Sequence, residues 1–109
     1  MPYMREKDKI GIVGGGSWAT ALVKILLKNI KQINWFLRDQ NNIEYLRQYH
    51  HNKNYLSSIY FNTNKIEFYS QIDEIIRASD ILVFVIPSAF LQNALESVKE
   101  DLTGKIVVS

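Results

Sequence analysis

At 109 residues, with 47% apolar and 22% charged side chains, the chain has the composition of one globular domain and is short for a complete cofactor-dependent enzyme. Its net charge of +2 comes without a lysine or arginine cluster, which argues against nucleic acid or an anionic membrane as partner. The absence of cysteine removes disulfides, thiolate metal sites and cysteine nucleophiles. No apolar run approaches membrane-spanning length, so no membrane span is expected. The charged start "MPYMREKDK" has no signal-type core behind it, and a cytoplasmic protein is the default reading.

In chain order, "KIGIVG" (Lys9 to Gly14) is apolar and β-branched without strict alternation, the pattern of a strand buried on both faces. Trp18, Ala19, Leu22, Ile25, Leu26 and Ile30 then follow helical spacing from Ser17 onwards. "INWFLRD" (Ile33 to Asp39) reads as a second strand, and Ile43, Leu46 and Tyr49 as a short helix after it. His50 to Asn64, rich in Asn, Tyr and Ser, reads as a long irregular connection. "IEF" (Ile66 to Phe68) is a brief strand, followed by Ser70 as an N-cap with Asp73 three residues on and Ile72, Ile75 and Ile76 on the buried stripe.

"DILVFVIP" (Asp80 to Pro87) is the strongest strand, ended by proline. Leu91, Ala94, Leu95, Val98 and Leu102 mark an amphipathic helix with Gly104 as its C-terminal cap, and "KIVVS" begins one more strand. Strands alternating with helices predict an α/β fold of the Rossmann type. That is a doubly wound parallel sheet in three layers, α/β/α, truncated after the fifth strand begins. We read residues 1–109 as one dinucleotide-binding domain and the chain as a fragment.

The stretch "GIVGGG" places four glycines in six positions, between the first strand and the first helix. Gly14, Gly16 and Ala19 occupy the three positions of the dinucleotide fingerprint G-x-G-x-x-G/A, with Gly15 between the first two. Gly14 permits the sharp exit from the strand, Gly16 lets a pyrophosphate approach the backbone, and Ala19 lets the helix pack closely on the sheet. The helix N-terminus then offers free N–H groups to the phosphates. The same three letters also suit a plain tight turn. Arg38 and Asp39 stand at the end of the second strand, where the ribose of the adenosine is bound in such folds. Arg38 suits a 2′-phosphate or stacking on adenine, or is an exposed strand-end charge. Asp39 is placed either to bind ribose or to cap the next helix. The pair favours NADP slightly over NAD. In "VIPSAFL", Pro87 stops the strand, Ser88 is a cap for the next helix at the ligand-binding edge of the sheet, and Phe90 packs beside the nicotinamide or in the core.

Taken together, "GGGSWATAL", "WFLRD", "NYL" and "DILVFVIPSAFL" resemble the N-terminal domain of bacterial NAD(P)-dependent glycerol-3-phosphate dehydrogenases, over nearly the whole chain after Lys9. The resemblance implies that Ser17 and Trp18 touch the cofactor, Ser17 near the pyrophosphate, with Arg38 at the adenosine end and Phe90 near the nicotinamide. Tyr55 matches a position close to the cofactor in some members. The family interconverts dihydroxyacetone phosphate and glycerol 3-phosphate for phospholipid synthesis. Its catalytic lysine and phosphate-binding residues lie mostly in a helical C-terminal domain, and a further lysine would fall just beyond Ser109. No catalytic residue is therefore assigned here. The small phosphorylated substrate belongs to the full-length enzyme, and the fragment alone is expected to bind NAD or NADP without turnover.

This sequence departs from the family pattern at Ala19, where a glycine is usual, and at Ser57, Ser58 and Asn62, which replace Pro-Gly and a later Pro. Asn29 stands where a glycine commonly ends the first helix, a residue that tolerates the left-handed conformation. Exposed apolar surface where further chain docks leaves a homodimer as an expectation.

His50 and His51 lack a third ligand at metal spacing, so no metal site is assigned. "REKDK" is a solvated mixed-charge segment, and the tyrosines lack the basic interleaving of nucleic-acid stacking. Two rival readings are a non-catalytic NAD(P)-sensing regulatory module, which commonly carries an acid where Arg38 stands, and a degenerate domain kept for assembly.

Overall fold

The computed structural model describes residues 8–99 and 102–108, and for Ser88 and Phe90 the backbone alone. Ten elements follow in chain order: β1 (Ile10–Val13), α1 (Ser17–Leu26), β2 (Ile33–Phe36), α2 (Gln40–Tyr49), a 3-10 turn (Thr63–Lys65), β3 (Ile66–Tyr69), α3 (Ile72–Ala78), β4 (Ile81–Phe84), α4 (Ser88–Glu96) and β5 (Ile106–Val108). The strands form one sheet in the order β3-β2-β1-β4-β5, and every pair is parallel. The chain winds outward from β1 to β3, crosses back through α3, and winds the other way through β4 and β5.

Two apolar layers cover the sheet. On one face Ile10, Ile12, Ile33 and Trp35 pack with Ala19 and Val23 of α1, Ile43 and Leu46 of α2, and Phe61 from the long connection. On the other face Val13, Leu82 and Phe84 pack with Ile75 and Ile76 of α3, and Leu91 of α4 leans on the same layer. Because β1 lies between β2 and β4 with helices above and below, both faces of its side chains must be apolar, and all four of its residues are buried.

Several local expectations shift. Ser70 does not cap α3: the N-cap is Gln71, without a side-chain bond, and Asp73 and Glu74 instead sit in the first turn, where negative charge suits the helix dipole. α1 stops at Leu26 rather than near Ile30, and both Asn29 and Ile30 donate their N–H to the Leu26 carbonyl in a tight closing turn. Asn29 is not left-handed. The non-glycine residues with positive φ among those described are His50 (65°), which ends α2, and Leu56 (50°).

α4 ends at Glu96, well before Gly104. That glycine (φ 83°) instead serves a turn closed by the Lys105 N–H and the Leu102 carbonyl, leading into β5. Ile25 and Tyr49, read as core positions, are exposed, because the helices present a narrower apolar face to the sheet than the spacing implied. The charged segment Arg5 to Lys9 falls largely outside the described residues, as does Ser109 of the last strand.

Candidate functional site

The carboxyl ends of β1 and β4 lie side by side where the winding reverses, and the glycine turn fills that position. Gly14 leaves β1 with φ 143°, a conformation that L side chains rarely adopt. A Cβ there would collide with the carbonyl oxygen of Val85, just past β4. Gly14 is therefore demanded twice, by torsion and by the close approach of the neighbouring backbone. Gly16 is different. It is the N-cap of α1 in an extended conformation (φ −80°, ψ −170°), and a Cβ on it would meet nothing within 4 Å. Gly16 thus borders open space, as a residue against which a ligand is to lie must do.

Three buried side chains hold the carbonyls of this turn. The Trp35 indole Nε1 donates to the Gly14 carbonyl (2.7 Å), the Asn52 Nδ2 to the Gly15 carbonyl (3.3 Å), and the Thr20 hydroxyl to the Gly16 carbonyl (2.7 Å). Each of these side chains is almost wholly inaccessible. With three successive carbonyls drawn into the protein, the polar groups left at the mouth of the turn are the N–H groups that open α1. No side chain caps that helix. Uncapped N–H groups and the positive end of the helix dipole are chemically suited to an anion.

The other sequence-derived candidates gather around this mouth to differing degrees. Ser17 and Trp18 form the first turn of α1 and are exposed, Trp18 by 82%. Ala19 is fully buried against the sheet, and its smallness sets the distance between helix and strand. Arg38 follows Leu37, whose N–H bonds the Tyr69 carbonyl (2.9 Å), and its side chain is exposed beyond the end of β2. Asp39 resolves to a cap: its carboxylate accepts the Asn41 N–H at 2.9 Å and begins α2. Tyr55 is half exposed and is tied to the turn through Asn52, whose Oδ1 accepts the N–H groups of Asn54 (3.0 Å) and Tyr55 (3.3 Å).

Pro87, not Ser88, is the N-cap of α4, with Ser88 its first helical residue; the side-chain readings for Ser88 and Phe90 lie outside the described residues. His50 and His51 take local partners, the Thr63 hydroxyl (3.2 Å) and the Asn52 carbonyl (3.1 Å).

Trp35, Thr20 and Asn52 were not candidates from the sequence. Trp35 and Thr20 lie inside the stretches "WFLRD" and "GGGSWATAL" without a role of their own. Asn52, 37 residues from the carbonyl that it holds, stood in the least readable part of the chain. Only the "NYL" motif two positions on pointed near it.

A doubly wound parallel sheet with a glycine turn and an uncapped helix at its switch point defines a Rossmann-type α/β domain. Residues 9–109 match the family described as NAD-dependent glycerol-3-phosphate dehydrogenase N-terminus, and the chain belongs to that family. It is 30% identical over 106 residues to a glycerol-3-phosphate dehydrogenase [NAD(P)+] of Ectopseudomonas mendocina, covering 97% of this chain and 31% of that protein. The figures for the enzyme of the same name from Pseudomonas fluorescens strain SBW25 are 31% identity, 97% and 31%. The chain thus spans about a third of the length of the curated relatives that it matches.

Among solved structures, the Plasmodium falciparum glycerol-3-phosphate dehydrogenase superposes with a TM-score of 0.77 at 27% identity, over 90% of this chain and 30% of that one. The Coxiella burnetii glycerol-3-phosphate dehydrogenase (TM-score 0.76, 20% identity, 94% and 32% coverage) supports the fold alone. None of these relatives is a regulatory module, and the sensing alternative has no support from them.

Proposed function

We propose that this chain is the cofactor-binding part of an NAD(P)-dependent glycerol-3-phosphate dehydrogenase, seating the diphosphate of the dinucleotide on the Gly14–Gly16 turn. The observation that carries the reading is the polarity of that turn: its three carbonyls are bonded inward to Trp35, Asn52 and Thr20, the start of α1 carries no side-chain cap among the described residues, and Gly16 borders open space. Family membership supplies the rest. In this reading Gly15, Gly16, Ser17 and Trp18 lie against the diphosphate and Arg38 faces the adenosine end, where its guanidinium suits a 2′-phosphate. Asp39 caps α2 with one carboxylate oxygen, which holds the Arg38 segment in place, and its other oxygen keeps the capacity to accept from a ribose hydroxyl. Tyr55 and the Pro87–Phe90 segment border the remainder of the dinucleotide.

When bound, the nicotinamide supplies the hydride exchanged between glycerol 3-phosphate and dihydroxyacetone phosphate. The residues of this chain bind and orient the cofactor; the phosphorylated substrate, and the cytoplasmic supply of a phospholipid precursor, belong to the longer protein. Isothermal calorimetry of the folded chain with NADH and with NADPH tests the reading. Saturable one-to-one binding of at least one of them is expected, and heat signals no larger than dilution for both would refute it.

A further inference from the structure

Asn52 uses all of its hydrogen-bonding capacity to join two segments far apart in sequence. Its Oδ1 accepts the N–H groups of Asn54 and Tyr55, while its Nδ2 donates to the Gly15 carbonyl and to the Thr20 Oγ1 (3.0 Å). Chemistry fixes this orientation of the amide, because backbone N–H groups only donate and a carbonyl only accepts. Thr20 receives the Asn52 proton at the same oxygen from which it donates to the Gly16 carbonyl. The result is a relay, Asn52 to Thr20 to Gly16, beside the direct bond from Asn52 to Gly15. One amide, 97% inaccessible, therefore governs two of the three inward-turned carbonyls.

We infer that Asn52, acting through Thr20, is a positioning residue for dinucleotide binding: it holds the Gly15 and Gly16 peptides with their N–H groups toward the ligand, and couples that orientation to the segment carrying Tyr55. This rests on the reading of the turn as the diphosphate site. The physical argument is preorganisation. Without Asn52 the Gly15 carbonyl loses its interior partner and gains by rotating toward water, which swings the Gly16 N–H away from the anion. The Gly16 carbonyl keeps the Thr20 N–H (3.0 Å) but loses the orienting hold of the Thr20 hydroxyl when that relay is cut. Asn52 touches no part of the proposed ligand position itself, so its effect is exerted on affinity through the turn. Leu56, the residue directly after Tyr55, is held in the left-handed region that a leucine rarely occupies, which marks the far end of the same constrained segment.

The test measures NADH binding by calorimetry, well below the unfolding temperature of each variant, for the unaltered chain and for Asn52→Ala, Thr20→Val, Thr20→Ser and the double variant Asn52→Ala/Thr20→Val. Asn52→Ala is expected to raise Kd about tenfold, and Thr20→Val severalfold. Thr20→Ser, which keeps the hydroxyl, should bind like the unaltered chain. The double variant should lose less than the product of the two single losses, because both interrupt one relay. A merely structural role predicts lowered Tm with unchanged Kd in the folded variants, and that outcome overturns the inference while leaving the diphosphate reading intact. Should Asn52→Ala fail to fold, the contrast between Thr20→Val and Thr20→Ser decides alone. If the unaltered chain binds NADPH and not NADH, the same series is read with NADPH; binding of neither overturns both.

Discussion

Gly14 and Gly16 stand two positions apart and answer different demands, so the same substitution should act on different properties. Gly14→Ala places a methyl against the Val85 carbonyl at a torsion that alanine avoids. Strain and overlap together should cost about 3 kcal/mol, read as a lowered denaturation midpoint. Gly16→Ala has room for its methyl and an ordinary torsion, so the Tm should hold within a degree or two while NADH affinity falls, because the methyl occupies the approach to the turn. Loss of stability at Gly16, or preserved affinity, would contradict the assignment. Arg38→Ala should weaken NADPH more than NADH; equal losses in paired titrations would remove the proposed 2′-phosphate contact. The glycine turn was legible because its motif has fixed spacing; Ser17 and Trp18 rest on the family resemblance and, with Arg38, stand as proposed contacts. Trp35 and Asn52 were not legible, since a side chain that bonds a backbone carbonyl across 21 or 37 positions leaves no periodic trace; Thr20 bonds only four positions back, but nothing local distinguishes it from any other helical threonine.

Elements were legible wherever apolar periodicity was strong, and their ends were not. Each predicted strand and helix has a counterpart, yet α1 and α4 are shorter than their apolar runs, because Leu27, Ile30, Val98 and Leu102 still pack on the core from outside a helix. Burial alone therefore could not mark the boundary; capping did. Asp39 is the clearest example. Its cap is the 2.9 Å bond from the Asn41 N–H. Asp39→Ala should destabilise the chain by about 1 kcal/mol, seen as a Tm lower by roughly 4–8 °C. An unchanged Tm would mean that the cap contributes nothing to α2. In the long connection, Leu56→Asn should be neutral or stabilising by about 1 kcal/mol, since asparagine tolerates the left-handed region better than leucine does.

For the molecule as a whole, stability should be graded across the sheet. β1 is paired on both edges and buried on both faces, whereas β5 pairs only with β4 among the described residues and its three side chains are exposed. Hydrogen exchange should accordingly protect the amides of Ile12 and Val13 most strongly and those of Val107 and Val108 least. Equal protection of β1 and β5 in native-state exchange would show that a further contact covers β5, the second copy of a homodimer being one such cover. The glycine turn sits on the most protected strand, so the proposed site is built on the rigid centre of the sheet.

The sequence by itself determined the alternation of strands and helices, the doubly wound sheet that follows from it, and the location of the glycine turn. Those features are written in local chemistry: β-branched runs, helical spacing, and glycines where a backbone must turn or be approached. Tertiary structure alone decided that Asp39 caps a helix, that Gly14 is confined by Val85, and that the turn is held by an indole, a hydroxyl and an amide from three separate elements. The reason is physical. Local propensity depends on neighbours in the chain, but the direction of a carbonyl depends on what lies beside it in space, and folding alone brings Asn52 to Gly15.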